Sequence, residues 1–330
     1  MPRRSLLVVA ALALVASGCG AETAQVDTTT PLATTTTTNA ADTSTTVAPA
    51  TTGTTEAPET SPTTTEQPPA GVGEPDRTLL YNNYVRTESY ADGLELDIHA
   101  PEEVGPWPVV VTIHGGGWFI GDRQSMGGLA DGLASRKAVV FNATYRTLTL
   151  GGSFPGMVDD VACAVQFAHS AASEFTTTPG TVTIVGHSAG AHLASLVAFA
   201  PDEFGQNCRA GSDGTVDALV GLAGPYDISQ LGGLLNPMFG VPIDDDPELW
   251  ASGNPFSWIQ DSPDISTLLL HGDADLVAPI GFSEELAEAL ASAGRDVTFE
   301  VLAGRSHSDA NSPRVVGDRI AAFLNGLGSP

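Results

Sequence analysis

The chain of 330 residues has a single lysine, Lys137, and that scarcity removes whole classes of chemistry. A P-loop needs G-x-x-x-x-G-K-[ST], and Lys137 stands in Ser135-Arg136-Lys137-Ala138 with no glycine loop before it. A Walker-type NTPase is excluded. A protein kinase or a lysine Schiff-base enzyme would have to rest on this one residue, and both are set aside. Basic residues are few altogether, 13 against 39 acidic, for a formal net charge of −26. Such a surface repels a phosphate backbone, so nucleic acid is not expected as a partner. Cysteine is also scarce, with three in the chain, and the apolar run near the start, Leu6 to Ala16, falls short of the ~20 residues a membrane-crossing helix requires.

What is present falls into three blocks. Arg3-Arg4, the run Leu6 to Ala16 and the small residues Ser17-Gly18 have the charged, apolar and small-residue parts of an export signal in order. Val15-Ala16-Ser17-Gly18-Cys19 resembles a bacterial lipobox, although the position usually held by Leu is Ala16. The resemblance implies a signal peptide over 1–18 and a lipid on Cys19, holding the protein at the membrane with its body toward the envelope or exterior. A plainly secreted protein is the alternative. The twin arginine is a weak hint of the folded-protein export route, since two arginines also serve the charged part of any export signal. Residues 19–76, rich in Thr, Pro, Ala and Glu, show neither a period of 2 nor one of 3.6. They are expected to form a disordered tether, glycosylated or bare, because they cannot bury enough apolar area to offset their ordering entropy.

Residues 77–330 read as a single domain. Tyr84 to Glu88 and Leu94 to Ala100 flank Asp92-Gly93, a hairpin signal. Apolar runs of strand length follow at 108–113, 138–143, 181–185, 216–223, 267–270 and 298–302, with helical patterns at 157–173, 189–200, 282–293 and 313–327. Strands that alternate with helices and lack polar alternation predict an α/β fold around a mostly parallel sheet, whose ligands gather at the carboxyl ends of the strands.

Three motifs fall at such ends. Gly186-His187-Ser188-Ala189-Gly190 lies between a strand and a helix and matches G-x-S-x-G, in which small flanking residues allow a strained turn that lifts the serine hydroxyl into the open. His114-Gly115-Gly116-Gly117-Trp118 follows the strand at 108–113; its glycines let backbone N–H groups turn toward an oxyanion. A dinucleotide fingerprint would need glycine where Ile120 stands. His271-Gly272-Asp273-Ala274-Asp275 and Gly304-Arg305-Ser306-His307 follow the last two strands and supply the imidazole and carboxylate that a serine nucleophile needs. A metal site of His271, Asp273, Asp275 and His307 would leave the glycine loop and Ser188 without a role, so no metal is expected.

Together these residues resemble the α/β-hydrolase superfamily over essentially all of 80–330. The loop 114–118 with Gly186 to His192 is similar to the esterase and lipase group that includes hormone-sensitive-lipase-like carboxylesterases, kynurenine formamidases and bacterial feruloyl and acetylxylan esterases. The resemblance implies Ser188 as nucleophile, His307 as general base and Asp275, in His-Gly-x-x-Asp-x-x-x-Pro, as the acid that orients it, with Asp273 as rival. It implies an oxyanion hole from the amides of Gly116, Gly117 and Ala189, and a substrate pocket lined by Trp118 and Tyr226, though Trp118 could equally pack beneath the loop. His192 reads as helix packing, and Asp159-Asp160 as acids at a helix start. The tether stands where such enzymes carry a helical cap, so a small cap or none is expected, with residues 224–266 as a modest flap. In this fold Cys163 and Cys208 flank the nucleophile strand and helix on one sheet face; a disulfide is expected outside the cytoplasm, with two buried thiols as the alternative.

The function expected is cleavage of carboxylic esters, short-acyl or polymer-attached, through an acyl-enzyme and without a cofactor. An amidase or formamidase would use the same groups, and a silent binding module on the same scaffold is the reading from another class. No oligomeric state is legible.

Overall fold

Five consecutive apolar or β-branched residues, Val109–Ile113 (β3), are all buried, because this strand is covered on both faces. Val109, Val111 and Ile113 enter one core and Val110 the other, the period-two alternation of a strand between two layers. The computed structural model describes residues 83–327; the export signal, Cys19 and the tether 19–76 lie outside the described residues.

The described residues form an eight-stranded sheet in the order β1-β2-β4-β3-β5-β6-β7-β8. Its other strands are β1 (Asn83–Ala91), β2 (Leu94–Pro101), β4 (Val139–Ala143), β5 (Val182–His187), β6 (Ala218–Leu222), β7 (Ser266–Gly272) and β8 (Val297–Leu302). β1 and β2 pair as the antiparallel hairpin expected at Asp92-Gly93, β2 runs antiparallel to β4, and all remaining neighbours are parallel. β8 is half-exposed where the sequence predicted a buried run, since it closes the sheet edge.

On one face pack α1 (Gln124–Ala134) and α7 (Pro313–Leu327); on the other pack α2 (Gly156–Ala171), α3 (Ala189–Phe199) and α6 (Gly281–Ser292). The sequence predicted no helix between β3 and β4. Gly127, Gly128 and Gly132 dilute the local preference there, but Met126, Leu129, Ala130 and Leu133 form a buried stripe, and tertiary burial outweighs propensity. Every residue of α3 is buried.

The stretch after β6 folds into short helical turns, among them α4 (Asn236–Phe239) and α5 (Pro247–Ser252). It is bound down rather than free: Phe239 stacks on Trp250 with ring centroids 4.3 Å apart, and Phe154 N–H donates to the Met238 carbonyl. Cys163 of α2 and Cys208 are joined in a disulfide, which settles the alternative of free thiols. Among the described residues no helix is long and apolar enough to cross a membrane.

Candidate active site

The parallel run from β4 to β8 brings the loops after β3, β5, β7 and β8 to one edge of the sheet, and the motif residues lie there. Ser188 sits between β5 and α3 at φ 54°, ψ −123°, a conformation that L side chains rarely adopt. Its N–H is held by the Leu222 carbonyl at 2.9 Å. The flanking glycines are required by close approach: a Cβ on Gly186 would lie 2.3 Å from the Gly190 carbonyl oxygen, and one on Gly190 would lie 2.4 Å from the carbonyl oxygens of Ile113 and His114. The start of α3 is thereby pressed against the root of the glycine loop.

That loop bends sharply. Gly116 and Gly117 have φ of 121° and 62°, and a Cβ on Gly116 would fall 1.8 Å from the Ile120 carbonyl oxygen. Phe119 and Ile120 donate their N–H groups back to the Gly116 carbonyl. Among the described residues no backbone carbonyl takes the N–H groups of Gly116 or Gly117. Gly115 lies against the serine, since a Cβ there would be 3.0 Å from Ser188 Cβ. With the first N–H groups of α3, the loop offers donors for an anion beside Ser188.

At the ends of β7 and β8, His307 Nδ1–H donates to Asp275 Oδ2 at 2.7 Å. Asp275 Oδ1 accepts the N–H groups of Val277 and Ala278 at 2.8 and 2.9 Å. The Asp275 side chain is fully buried and that of His307 is 15% exposed. Burial pushes the Asp275 carboxyl up, but the hydrogen bonds from His271 and His307, with the nearby His307 charge, outweigh it and hold the group well below the usual carboxylate range. His307 opens a 3-10 turn whose capping box, Ser306 with Asp309, fixes where the ring begins. Asp273 is exposed and accepts the Gly304 N–H at 2.6 Å, so it clamps the β8 loop and does not face the His307 ring.

Ser188 and His307 are neighbours through His187. The His187 ring stands 4.8 Å from the His307 ring, centroid to centroid, and its Nε2–H donates to the His307 carbonyl at 3.0 Å. Among the described residues no hydrogen bond joins Ser188 Oγ to the His307 ring. Burial, aided by the His307 charge, lowers His187 to about 4.

Trp118 and Tyr226 present almost no surface to a ligand. Trp118 is 2% exposed and Tyr226 is fully buried, its hydroxyl over Gly221. Trp118 instead packs beneath the loop, where its indole N–H donates to His192 Nδ1 at 3.2 Å. His192, read from the sequence as helix packing, therefore joins this site, as do His187 and His271. The partners of His192 and His187 lie 61 to 120 residues away, so the motifs that contain these rings do not reveal their contacts. The fully buried His271 shares the Asp275 carboxylate with His307.

The chain is 27% identical over 251 residues to a probable isoprenylcysteine alpha-carbonyl methylesterase of Arabidopsis thaliana, covering 71% of this chain and 51% of that protein. It is 27% identical over 238 residues to the esterase LipC of Mycobacterium tuberculosis, covering 67% of this chain and 58% of that one. The chain thus spans little more than half the length of these relatives. Among solved structures it superposes on a truncated carbohydrate esterase from gut microbiota at TM-score 0.64 and 21% identity, covering 74% of this chain and 95% of that one. Esterase Est2 of Thermogutta terrifontis, butyrate bound, gives TM-score 0.64 at 20% identity, covering 74% and 94%. At these identities the structures show a shared fold, the α/β-hydrolase sheet described above. The BD-FAE family model matches residues 96–290, more than half of the sequence, from β2 through most of α6, and the chain belongs to that family.

Proposed function

We propose that the protein is a serine carboxylic ester hydrolase. The observation that carries the reading is the buried Asp275 carboxylate, bound at 2.7 Å to His307 Nδ1, on the same sheet edge as Ser188 in its left-handed turn. With Nδ1–H committed to Asp275, the other ring nitrogen of His307 is the one left to act as base. In this reading His307 Nε2 takes the Ser188 hydroxyl proton as Oγ attacks the ester carbonyl carbon. The N–H groups of Gly116, Gly117 and Ala189 hold the oxyanion. The tetrahedral species collapses, the alcohol leaves with the proton from His307, and water activated by the same ring releases the acid from Ser188. Exposed aliphatics on the loops of this edge, Ile120 beside Gly116 and Leu276 beside Asp275, support an ester with an apolar portion.

The test is turnover of short p-nitrophenyl esters beside N-formyl and aryl amides, with a fluorophosphonate probe. Ester turnover and labelling, both lost in Ser188→Ala, are expected. Amide turnover alone would replace the ester reading with an amidase. An unlabelled Ser188 would leave a binding module.

The same proposal places the protein at the cell envelope, supported by the lipobox ending at Cys19 and the Thr/Pro-rich stretch 19–76. Two or more acyl chains give stable anchoring where one does not. Partition of the exported protein into detergent, lost in Cys19→Ser, checks this; equal partition of both forms overturns it.

A further inference from the structure

The hydrogen bonding around Asp275 contains a second histidine to which the reaction above gives no task. His271, the penultimate residue of β7, is fully buried. Its Nε2 lies 3.2 Å from Asp275 Oδ2, the same oxygen that His307 uses, and 2.8 Å from the Ala278 carbonyl oxygen. Both neighbours are acceptors, so Nε2 carries the proton. Nδ1 is then bare and accepts the Ser283 hydroxyl of α6 at 2.7 Å. Ser283 is itself fully buried. The tautomer is set by the acceptors at Nε2, and Ser283 of α6 fixes the ring from its other side.

We propose that His271 is a positioning residue for the reaction: held by Ser283 and the Ala278 carbonyl, it presents its Nε2–H edge to Asp275 Oδ2 and keeps that oxygen where His307 must meet it. This rests on the hydrolytic reading above. Asp275 then has two backbone donors on Oδ1 and, on Oδ2, the His307 donor at 2.7 Å with the His271 Nε2 edge 3.2 Å away, whose proton is shared with the Ala278 carbonyl, so the carboxylate cannot rotate without losing several contacts together. The titratable groups around the cluster are His187, His271, His307, Asp275 itself and the buried Tyr226, whose hydroxyl meets Ser283. Removing the His271 donor leaves more of the Asp275 negative charge for His307, which favours the protonated His307 ring. The acid limb of kcat/KM must then move to higher pH.

The experiment compares the full chain with His271→Phe, His271→Gln and Ser283→Ala on a short p-nitrophenyl ester across pH 5 to 9. His271→Phe is expected to lower kcat about 10- to 100-fold, the worth of a hydrogen bond to a charged group, with KM nearly unchanged. Its acid limb shifts upward by about one pH unit at most. His271→Gln, which can still donate, recovers most of both effects. Ser283→Ala gives a smaller shift in the same direction, and it decides the matter should His271→Phe not fold. Folded variants whose acid limb stays where the unmodified protein has it overturn the proposal, as does a Gln variant no better than Phe. Ser188→Ala in parallel separates the two readings: activity surviving there would sink the hydrolytic reading itself, whatever His271 does.

Discussion

Trp118 and His192, 74 positions apart, are joined by a hydrogen bond from the indole N–H to imidazole Nδ1, and their rings meet edge to face with centroids 5.4 Å apart. His192 Nε2–H is committed to the Gly253 carbonyl at 2.9 Å, so Nδ1 is the bare nitrogen and the ring is neutral. One imidazole on α3 thus ties the glycine loop after β3 to the inserted segment after β6. It also anchors Trp118 at φ 65°, a left-handed conformation that costs a non-glycine residue on the order of 1–3 kcal/mol.

His192→Phe keeps the ring volume and removes both hydrogen bonds. The expected result is a kcat for ester hydrolysis lower by about 10-fold, with KM changed less, because the loop donors are released from their position while Ser188 and His307 stay in place. An unchanged kcat in a folded variant would show that the loop holds itself.

Burial lowers His192 to about 4, and burial with the His307 charge does the same for His187. In the unfolded chain both titrate near 6.5. The unfolded state therefore takes up protons first as pH falls, and stability drops between pH 6.5 and 4, by up to about 3 kcal/mol for each ring. Thermal melts at pH 7.5, 6 and 4.5 should show a falling Tm, and His192→Phe should flatten part of the fall. A variant with the same acid dependence as the unmodified protein would contradict this assignment.

The two aspartates of the β7 loop separate cleanly by substitution. Asp275→Asn is expected to lower kcat about 10⁴-fold, because His307 loses the acceptor that sets its tautomer. Asp273→Asn leaves a hydrogen-bond acceptor for Gly304 N–H and should change kcat less than about 3-fold. Comparable losses in both would return Asp273 to the acid role.

A methyl group at position 116 has no room, with the Ile120 carbonyl oxygen 1.8 Å away. Gly116→Ala must therefore open the turn, and kcat is expected to fall about 10²- to 10³-fold, the worth of one oxyanion donor. Fluorophosphonate labelling of Ser188 and the circular dichroism spectrum tell a misplaced loop from a lost fold.

The disulfide between Cys163 and Cys208 closes a separation of 45 residues. Chain entropy assigns it at most ~4 kcal/mol. The Cys163→Ser, Cys208→Ser double variant should melt about 10 °C lower, while its initial rate at 25 °C stays close to that of the unmodified protein.

Much of the architecture is legible along the chain. The unbroken runs at 109–113, 139–143 and 218–222 announce buried strands, and Asp92-Gly93 announces the hairpin. Helix α1 is not legible, because its glycines look like loop chemistry until the sheet is there to bury Met126 and Leu129. At the candidate site, Ser188, Asp275 and His307 stand out because each sits at a strand end in a short motif. Trp118 and His192 also stand within such motifs and Tyr226 outside them, and the structure places all three in packing positions beneath the edge.

Sequence by itself determined the strand polarity, the turn residues and the kinds of reactive group at the strand ends, since these depend on backbone conformation within a few residues. Only the tertiary structure decided which groups meet: that Asp275 rather than Asp273 faces His307, that His271 shares its oxygen, and that Trp118 turns inward to His192. Apart from His271 and Asp275, four residues apart at the end of β7, those contacts join residues brought together by the order of strands in the sheet. Long-range burial and hydrogen bonding set that order, and no local pattern encodes it.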